Sequence, residues 1–298
     1  MTIAERRGLN RCLEPILLDH VVDDPEGVRE LARLNGPYVF PERPGGFIWP
    51  TWHTQWATGG GLLLDDAADL LHHDGFVAAA AQMCGSDDVV PEGVYVNIGT
   101  PWIAQPVKHT DLPMFRGIDP DAVPGWFLQA MGTSRLFEAE RINSITAVAW
   151  FFAGANGGFT YWPDGAGSDG REQVSMWNTA IVGDNDFMYH RVERIGAADT
   201  TSPAEMTADT TIDHDGDSWV VVDDGAILGR FDDREVRLSV SWKATVLDGN
   251  NAETTLDEAY ERMATEIGVD IVAGHPDRLF DETSRLQLMK RWPGFMPV

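Results

Sequence analysis

The stretch that decides the fold is Ile145-Thr146-Ala147-Val148-Ala149-Trp150-Phe151-Phe152, followed six residues later by Phe159-Thr160-Tyr161-Trp162. β-Branched and aromatic residues dominate both runs, and such residues are typical of strands. The connecting residues 153–158 are rich in Gly and Asn, so we expect the two runs to form a hairpin. Outward from this pair, further strands are predicted at 94–98, 177–182, 187–195, 219–222 and 236–242, with 177–182 and 187–195 paired across 183–186.

About eight short strands joined by Gly, Asn and Asp turns predict a β-sandwich or barrel. Helical patterns flank this region, with starts at Asp24-Pro25 and Thr255, a broken helix at 62–84 and a last helix at 282–290. The fold class is therefore mainly β with flanking helices. We expect a single domain over 1–298, with a mixed helical region at 1–93, a β core at 94–247 and C-terminal helices at 248–298.

Composition limits the partners. The chain has 298 residues, 47 acidic and 22 basic, and a net charge of -25. This charge argues against a nucleic-acid partner and against an anionic membrane surface, since both need a basic patch. There is no secretion signal and no run of 18 apolar residues, and Cys12 and Cys84 lack a metal-type spacing. We expect a cytoplasmic protein with a small-molecule substrate, while the oligomeric state stays open.

The chemistry is suggested first by His109-Thr110-Asp111. Alternate residues of an extended chain point to one face, so His109 and Asp111 can reach one metal ion while Thr110 points away. A second histidine, His190, lies far downstream, and two imidazoles with one carboxylate suit Fe(II). His214 is a rival for the third ligand, although its Asp- and Gly-rich surroundings indicate a turn.

Four segments together resemble the 2-oxoglutarate-dependent Fe(II) oxygenases, which are built on the double-stranded β-helix, also called the jelly-roll or cupin-like fold. In chain order, these segments are His109-Thr110-Asp111, the glycine-led strand at 157–163, the strand that reaches His190 after Gly183-Asp184, and Arg237-Leu238-Ser239. They span about half of the chain, so the resemblance extends well beyond a single triplet. It implies a double-stranded β-helix for the core at 94–247.

The resemblance also implies a site and a reaction. His109, Asp111 and His190 would bind Fe(II), and Arg237 with Ser239 would bind the far carboxylate of the co-substrate 2-oxoglutarate. Arginine offers a planar pair of donors that matches a carboxylate, which lysine does not. The implied enzyme is a dioxygenase that hydroxylates or desaturates an unactivated C–H bond of a small molecule, with succinate and CO2 as co-products.

The chain departs from the family in one spacing. Arg237 follows His190 by 47 residues, further than is usual. We interpret the polar segment 196–217 as an insertion that covers the site as a lid, because long loops in compact domains are often functional. The spacing leaves four rival arginines for the co-substrate, which are Arg191, Arg194, Arg230 and Arg234.

Two other classes of function remain open from the sequence. A metal-binding cupin that does not activate oxygen, such as an isomerase, hydrolase or sensor, would carry a similar triad but would need no arginine for a keto acid. A catalytically silent β-helix would serve as a binding module, and the intact triad argues against it.

Overall fold

The computed structural model describes residues 12–40, 51–101, 107–197, 199–203, 205–268 and 282–292. Within these ranges the chain forms thirteen strands and six α-helices. The strands are β1 Ile16–Asp19, β2 Thr51–Thr58, β3 Gly61–Leu62, β4 Val89–Gly99, β5 Ser144–Phe151, β6 Phe159–Trp162, β7 Arg171–Gln173, β8 Trp177–Gly183, β9 Tyr189–Val192, β10 Thr211–His214, β11 Trp219–Asp223, β12 Ala226–Phe231 and β13 Arg237–Val246. The helices are α1 Pro25–Leu34, α2 Ala68–Leu71, α3 Asp74–Cys84, α4 Gly125–Ser134, α5 Leu256–Ile267 and α6 Glu282–Arg291.

The strands form three antiparallel sheets. The large sheet has the order β1-β8-β5-β13-β4-β2-β3, and the small sheet has the order β7-β6-β9. A third sheet, β10-β11-β12, is a meander made from consecutive strands. Strand β13 is central to the large sheet, because it pairs with β4 over its whole length and with β5 over most of it.

The sequence of β13 shows why the large sheet has two different faces. Polar and apolar residues alternate in Arg237-Leu238-Ser239-Val240-Ser241-Trp242-Lys243-Ala244, and such alternation places each class on its own face. The apolar residues of β13 join a core that contains buried residues of α1, α2 and α3. We call this the helix-side core. The polar residues of β13 lie on the opposite, inner face.

The inner face packs against the small sheet. Trp150 of β5 and Ile181 of β8 share a buried cluster with Phe159 and Tyr161 of β6 and with Met188. Two antiparallel sheets with side chains from both filling the space between them form a sandwich. The chain passes from β5 to β6 and from β8 to β9, so consecutive strands alternate between the sheets. This is the double-stranded β-helix, and the predicted fold class, mainly β with flanking helices, is confirmed.

Both predicted hairpins are wrong, although the strands themselves exist. Strand β5 pairs with β13 and β8, whereas β6 pairs with β7 and β9. Strand β8 pairs with β5 and β1, and does not pair with β9. Residues 153–158 and 183–186 therefore cross between the two sheets. The Gly, Asn and Asp residues that favour a hairpin turn also favour such a crossing, so the local sequence does not distinguish the two.

The flanking helices largely follow their predicted signals. The Asp24 side chain accepts a hydrogen bond from the Gly27 N–H at the start of α1, and Thr255 with Glu258 forms a capping box at the start of α5. The predicted helix 62–84 starts too early, because Leu62 belongs to β3, and it is broken between α2 and α3, where the His73 side chain caps α3. Helix α4 was not predicted, and it packs with α5 and α6 in a separate apolar cluster. In the described part of the chain, no helix has the length and apolar composition needed to cross a membrane.

The predicted insertion 196–217 contains a strand. Ile212 of β10 is fully buried in the helix-side core, and β10 also bridges to Tyr38. The Trp52 indole N–H donates to the Thr210 carbonyl at 2.8 Å. The long spacing between His190 and Arg237 thus accommodates the third sheet, and residues 219–222, expected in the main β core, belong to that sheet.

Candidate metal and co-substrate site

The fold brings His109, Asp111 and His190 together. One potential ligand atom from each lies within 4.8 Å of the others. His109 and His190 form an antiparallel bridge in which each backbone N–H donates to the other's carbonyl, at 3.0 and 2.8 Å. The Asp111 N–H donates to the Asn185 carbonyl at 2.8 Å. The triplet is therefore held along the edge of the small sheet beside β9, and this placement joins residues that are about 80 positions apart.

Backbone carbonyls orient both imidazoles. His109 Nδ1 lies 2.8 Å from the Val107 carbonyl oxygen, and His190 Nδ1 lies 2.9 Å from the Met188 carbonyl oxygen. A carbonyl oxygen can only accept, so each Nδ1 carries the proton and the lone pair of each ring lies on Nε2. Phe159 stacks on the His190 ring with centroids 5.5 Å apart. Both rings therefore present Nε2 as a metal ligand from a fixed position.

The two oxygens of Asp111 have different surroundings. Oδ1 lies 3.5 Å from His190 Nε2. Oδ2 accepts from Lys243 Nζ at 2.9 Å and from Thr146 Oγ1 at 3.4 Å. Burial alone would raise the pKa of the Asp111 carboxyl, but the Lys243 ammonium outweighs it and holds that pKa well below its ordinary value. The carboxylate is ionised at neutral pH, as a metal ligand must be.

Lys243 is the site residue that the sequence reasoning missed. It lies six positions after Arg237 on β13, so it faces the same side of the sheet as Arg237 and Ser239. Burial lowers its pKa, but the nearby Asp111 carboxylate raises it more, so the ammonium stays charged. The sequence does indicate the position of Lys243, because the alternation of polar and apolar residues in β13 places this lysine, one of only three, on the same face as Arg237 and Ser239.

A buried network supports the Asp111 loop from behind. The Gln129 side-chain amide of α4 donates to Thr110 Oγ1 at 2.7 Å. Arg141 is 2% exposed, pairs with Asp186 at 3.2 Å and lies over the Phe187 ring at 4.3 Å. Arg141 also donates to the Gly132 carbonyl of α4 at 2.9 Å, so it links this helix to the loop from 183 to 188, which supplies the carbonyl that accepts from the Asp111 N–H.

Arg237 is a buried cation with no acidic partner. Its Nε donates to the Gly157 carbonyl at 2.8 Å, and its Nη1 lies 3.4 Å from Ser239 Oγ. Nη2 faces the Met176 sulfur at 4.0 Å, and no carboxylate of the described residues lies within ion-pair distance. Burial lowers the pKa of Arg237 to about 9, which leaves it charged at neutral pH. A buried charge without a partner is costly, so this site favours an anionic ligand.

Gly157 makes room for this arginine. Its backbone has a φ of 69°, a conformation that favours glycine, and an added Cβ would lie 2.8 Å from the Phe152 ring and 3.2 Å from Arg237 Cδ. Glycine at position 157 is therefore needed for close packing against Phe152 and Arg237, and not only for a turn of the chain. Two residues later Phe159 stacks on His190, so one short segment contacts both Arg237 and the His-Asp-His cluster.

The rivals named from the sequence lie in other surroundings. Arg191 pairs with Glu193, Arg230 pairs with Asp215, and Arg194 donates to the Ala197 carbonyl. Arg234 is exposed, so none of the four resembles the buried, uncompensated Arg237. His214 lies on β10 with its ring against Trp219, and it is not part of the His-Asp-His cluster. The geometry thus favours His190 and Arg237 over their rivals.

No protein-family model and no curated protein sequence matches the chain. Among solved structures, a 2OG-Fe(II) oxygenase-family oxidoreductase from Burkholderia pseudomallei is similar at 12% identity and a TM-score of 0.44, over 85% of this chain and 91% of that one. A Pseudomonas putida prolyl-4-hydroxylase is similar at 12% identity and a TM-score of 0.44, over 79% and 94%. HygX from Streptomyces hygroscopicus, with nickel, 2-oxoglutarate and hygromycin B bound, is similar at 9% identity and a TM-score of 0.42, over 86% and 96%.

The first of these is named as a member of the family that the sequence motifs resemble, the 2OG-Fe(II) oxygenases, and the third has 2-oxoglutarate bound.

Proposed function

We propose that this chain is a non-haem Fe(II)- and 2-oxoglutarate-dependent oxygenase that hydroxylates or desaturates an unactivated C–H bond of a small molecule. The observation that carries the proposal is Arg237, a buried cation without an acidic partner on the inner face that also carries Lys243, the partner of Asp111. A metal-binding cupin that does not activate oxygen would have no need of such an arginine.

The donor set fits the metal. Two neutral imidazoles and one carboxylate are the ligands that non-haem Fe(II) oxygenases use, and they leave coordination positions for exogenous ligands. His109, Asp111 and His190 would hold the ion, with Nε2 of each histidine as donor. When bound, Fe(II) supplies oxygen activation, and 2-oxoglutarate supplies two electrons through its oxidation to succinate and CO2.

The surroundings of Arg237 fit the co-substrate. Nε is engaged by the Gly157 carbonyl, which leaves the two Nη groups for the far carboxylate of 2-oxoglutarate. The Ser239 hydroxyl, within 3.4 Å of Nη1, can turn to donate to the same carboxylate. Arg237 is buried beside the Met176 sulfur, and a charge pair is stronger in such a site than in water.

Succinate formation tests the proposal. We expect the purified protein to convert 2-oxoglutarate to succinate when Fe(II) and oxygen are present, and a suitable small molecule to stimulate the conversion. Omission of Fe(II), or the substitution His190→Ala, should abolish it. A protein that binds Fe(II) at this site, yet forms no succinate across a broad panel of small molecules, would instead be the metal-binding cupin.

A further inference from the structure

The Lys243 ammonium contacts the oxygen of Asp111 that faces away from His190. Lys243 Nζ lies 2.9 Å from Oδ2, and Thr146 Oγ1 donates to the same oxygen at 3.4 Å. The other oxygen, Oδ1, is the one near His190 Nε2. The side chains of Lys243 and Asp111 are 35% and 25% exposed, so the contact is only partly screened by water.

We infer that Lys243 is a positioning residue that makes Asp111 a one-oxygen ligand. The inference rests on the proposed metal site and adds a role that the family motifs do not contain. A carboxylate can bind a metal through one oxygen or through both. If Oδ2 turned to the metal, it would lose the hydrogen bonds from Lys243 and Thr146. If the ammonium instead followed Oδ2 and kept its hydrogen bond, it would come close to a dication, and like charges at short range repel strongly in a partly buried site.

The consequence concerns the number of open positions. With one oxygen from Asp111 and one nitrogen from each histidine, an octahedral ion keeps three positions for exogenous ligands. If both oxygens of Asp111 bind, only two positions remain, which suffice for a chelating keto acid but leave none for a further ligand. Lys243 thereby preserves the coordination position that oxygen chemistry requires.

The strand explains why this lysine and not another performs the role. Lys243 pairs with Thr146 of β5 in the sheet register, so both donors reach Asp111 from neighbouring positions on the inner face. Lys290 is exposed on α6, far along the chain from this sheet, and provides a control of the same residue type.

Mn(II) without any organic ligand is the probe, because its bound waters can be counted from the relaxation of solvent protons. We expect Lys243→Met to bind Mn(II) more tightly, since the repelling ammonium is gone. In Lys243→Met we expect the enhancement of solvent-proton relaxation per bound Mn(II) to fall by about a third, because the ion would hold two waters where the parent's ion holds three. Lys243→Arg, which keeps a charged donor, should restore the parent value, and Lys290→Met should match the parent. Lys243→Gln replaces Lys243→Met if the latter does not fold.

The inference is overturned if the enhancement per bound ion in the neutral Lys243 variant equals that of the parent, whatever its affinity. A parallel Mn(II) titration of His190→Ala distinguishes a wrong role for Lys243 from a wrong proposed function. If His190→Ala binds Mn(II) as well as the parent does, the metal site itself is misassigned. If His190→Ala loses Mn(II) binding while the neutral Lys243 variant binds the ion and keeps three waters, the metal site stands and Lys243 is an ordinary ion pair.

Discussion

At the residue scale, two charges decide what the inner face can bind. Asp111 is a carboxylate whose charge is matched by Lys243, whereas Arg237 is a guanidinium whose charge is matched by none of the described residues. Neutral imidazoles from His109 and His190 add no charge. An ion between the histidines and an anion at Arg237 would complete this arrangement.

The role of Arg237 is tested by a conservative change. Arg237→Lys keeps the charge but loses the planar pair of donors, so we expect a higher requirement for 2-oxoglutarate and nearly unchanged metal binding. Loss of a charged hydrogen-bond pair costs on the order of 2–3 kcal/mol, a weakening of roughly 30- to 150-fold. Titration of 2-oxoglutarate into the metal-loaded protein measures this. The matched control is Arg230→Lys at an exposed arginine, and equal affinities in all three proteins would remove Arg237 from the co-substrate site.

A motif or a spacing in the sequence singles out individual residues of the candidate site. His109, Asp111, His190, Arg237 and Ser239 were all singled out from the sequence, and the structure places the first three in one cluster. Lys243 was missed because its contact with Asp111 depends on how β13 passes behind the triplet. That pairing joins residues 132 positions apart, which no local pattern reports.

At the element scale, the third sheet changes the interpretation of the long segment before Arg237. A flap that opens over the site cannot include β10, because Ile212 is fully buried in the helix-side core and Trp52 donates to Thr210. The polar composition of 196–217 concealed this strand, since only one of the four residues Thr211–His214 is apolar.

Paired isoleucine substitutions test this interpretation. Ile212→Ala should lower the free energy of unfolding by about 2–4 kcal/mol, because it leaves a cavity in a packed core. Ile227→Ala, on β12 of the same sheet, removes a side chain that is 56% exposed and should change stability by less than about 0.5 kcal/mol. Urea unfolding of both variants gives the comparison. Similar small effects at both positions would mean that β10 is not part of the core.

The strands that the sequence predicted are mostly present, but their partners were not predictable. Periodicity and composition report whether a segment is extended and which face is apolar. They do not report which sheet it joins, so the sequence predicts hairpins for β5 with β6 and for β8 with β9. In a double-stranded β-helix, consecutive strands lie in opposite sheets across the core. Packing over the whole molecule determines this arrangement.

At the scale of the whole molecule, an acidic clamp joins the third sheet to helix α1. Asp233, between β12 and β13, accepts hydrogen bonds from Arg33 and from the Trp219 indole, and it pairs with Arg29 at 3.1 Å. Burial would raise the pKa of Asp233, but these partners, with Arg33 first, lower it below its ordinary 3.8. Asp233 therefore stabilises the fold above that value, and the contribution is lost as the pH falls through the lowered pKa.

Asp233→Asn tests the clamp through pH. We expect the variant to be less stable than the parent at pH 7, and the difference to shrink as the pH falls below about 4. Thermal unfolding of both proteins, measured from pH 7 to pH 3, gives this difference in stability. The exposed neighbour Asp232 supplies the control Asp232→Asn, which should follow the parent. If the stability difference between Asp233→Asn and the parent is constant from pH 7 to pH 3, the charge of Asp233 does not stabilise the fold.

One anaerobic spectrum tests most directly whether His109, Asp111 and His190 bind Fe(II) together with 2-oxoglutarate. A keto acid chelated to Fe(II) gives a weak visible charge-transfer band, and we predict that band when Fe(II) and 2-oxoglutarate are added to the parent. His214→Ala should give the same band, and His190→Ala should give none. A parent without the band, or a His190→Ala variant that keeps it in full, would contradict the account.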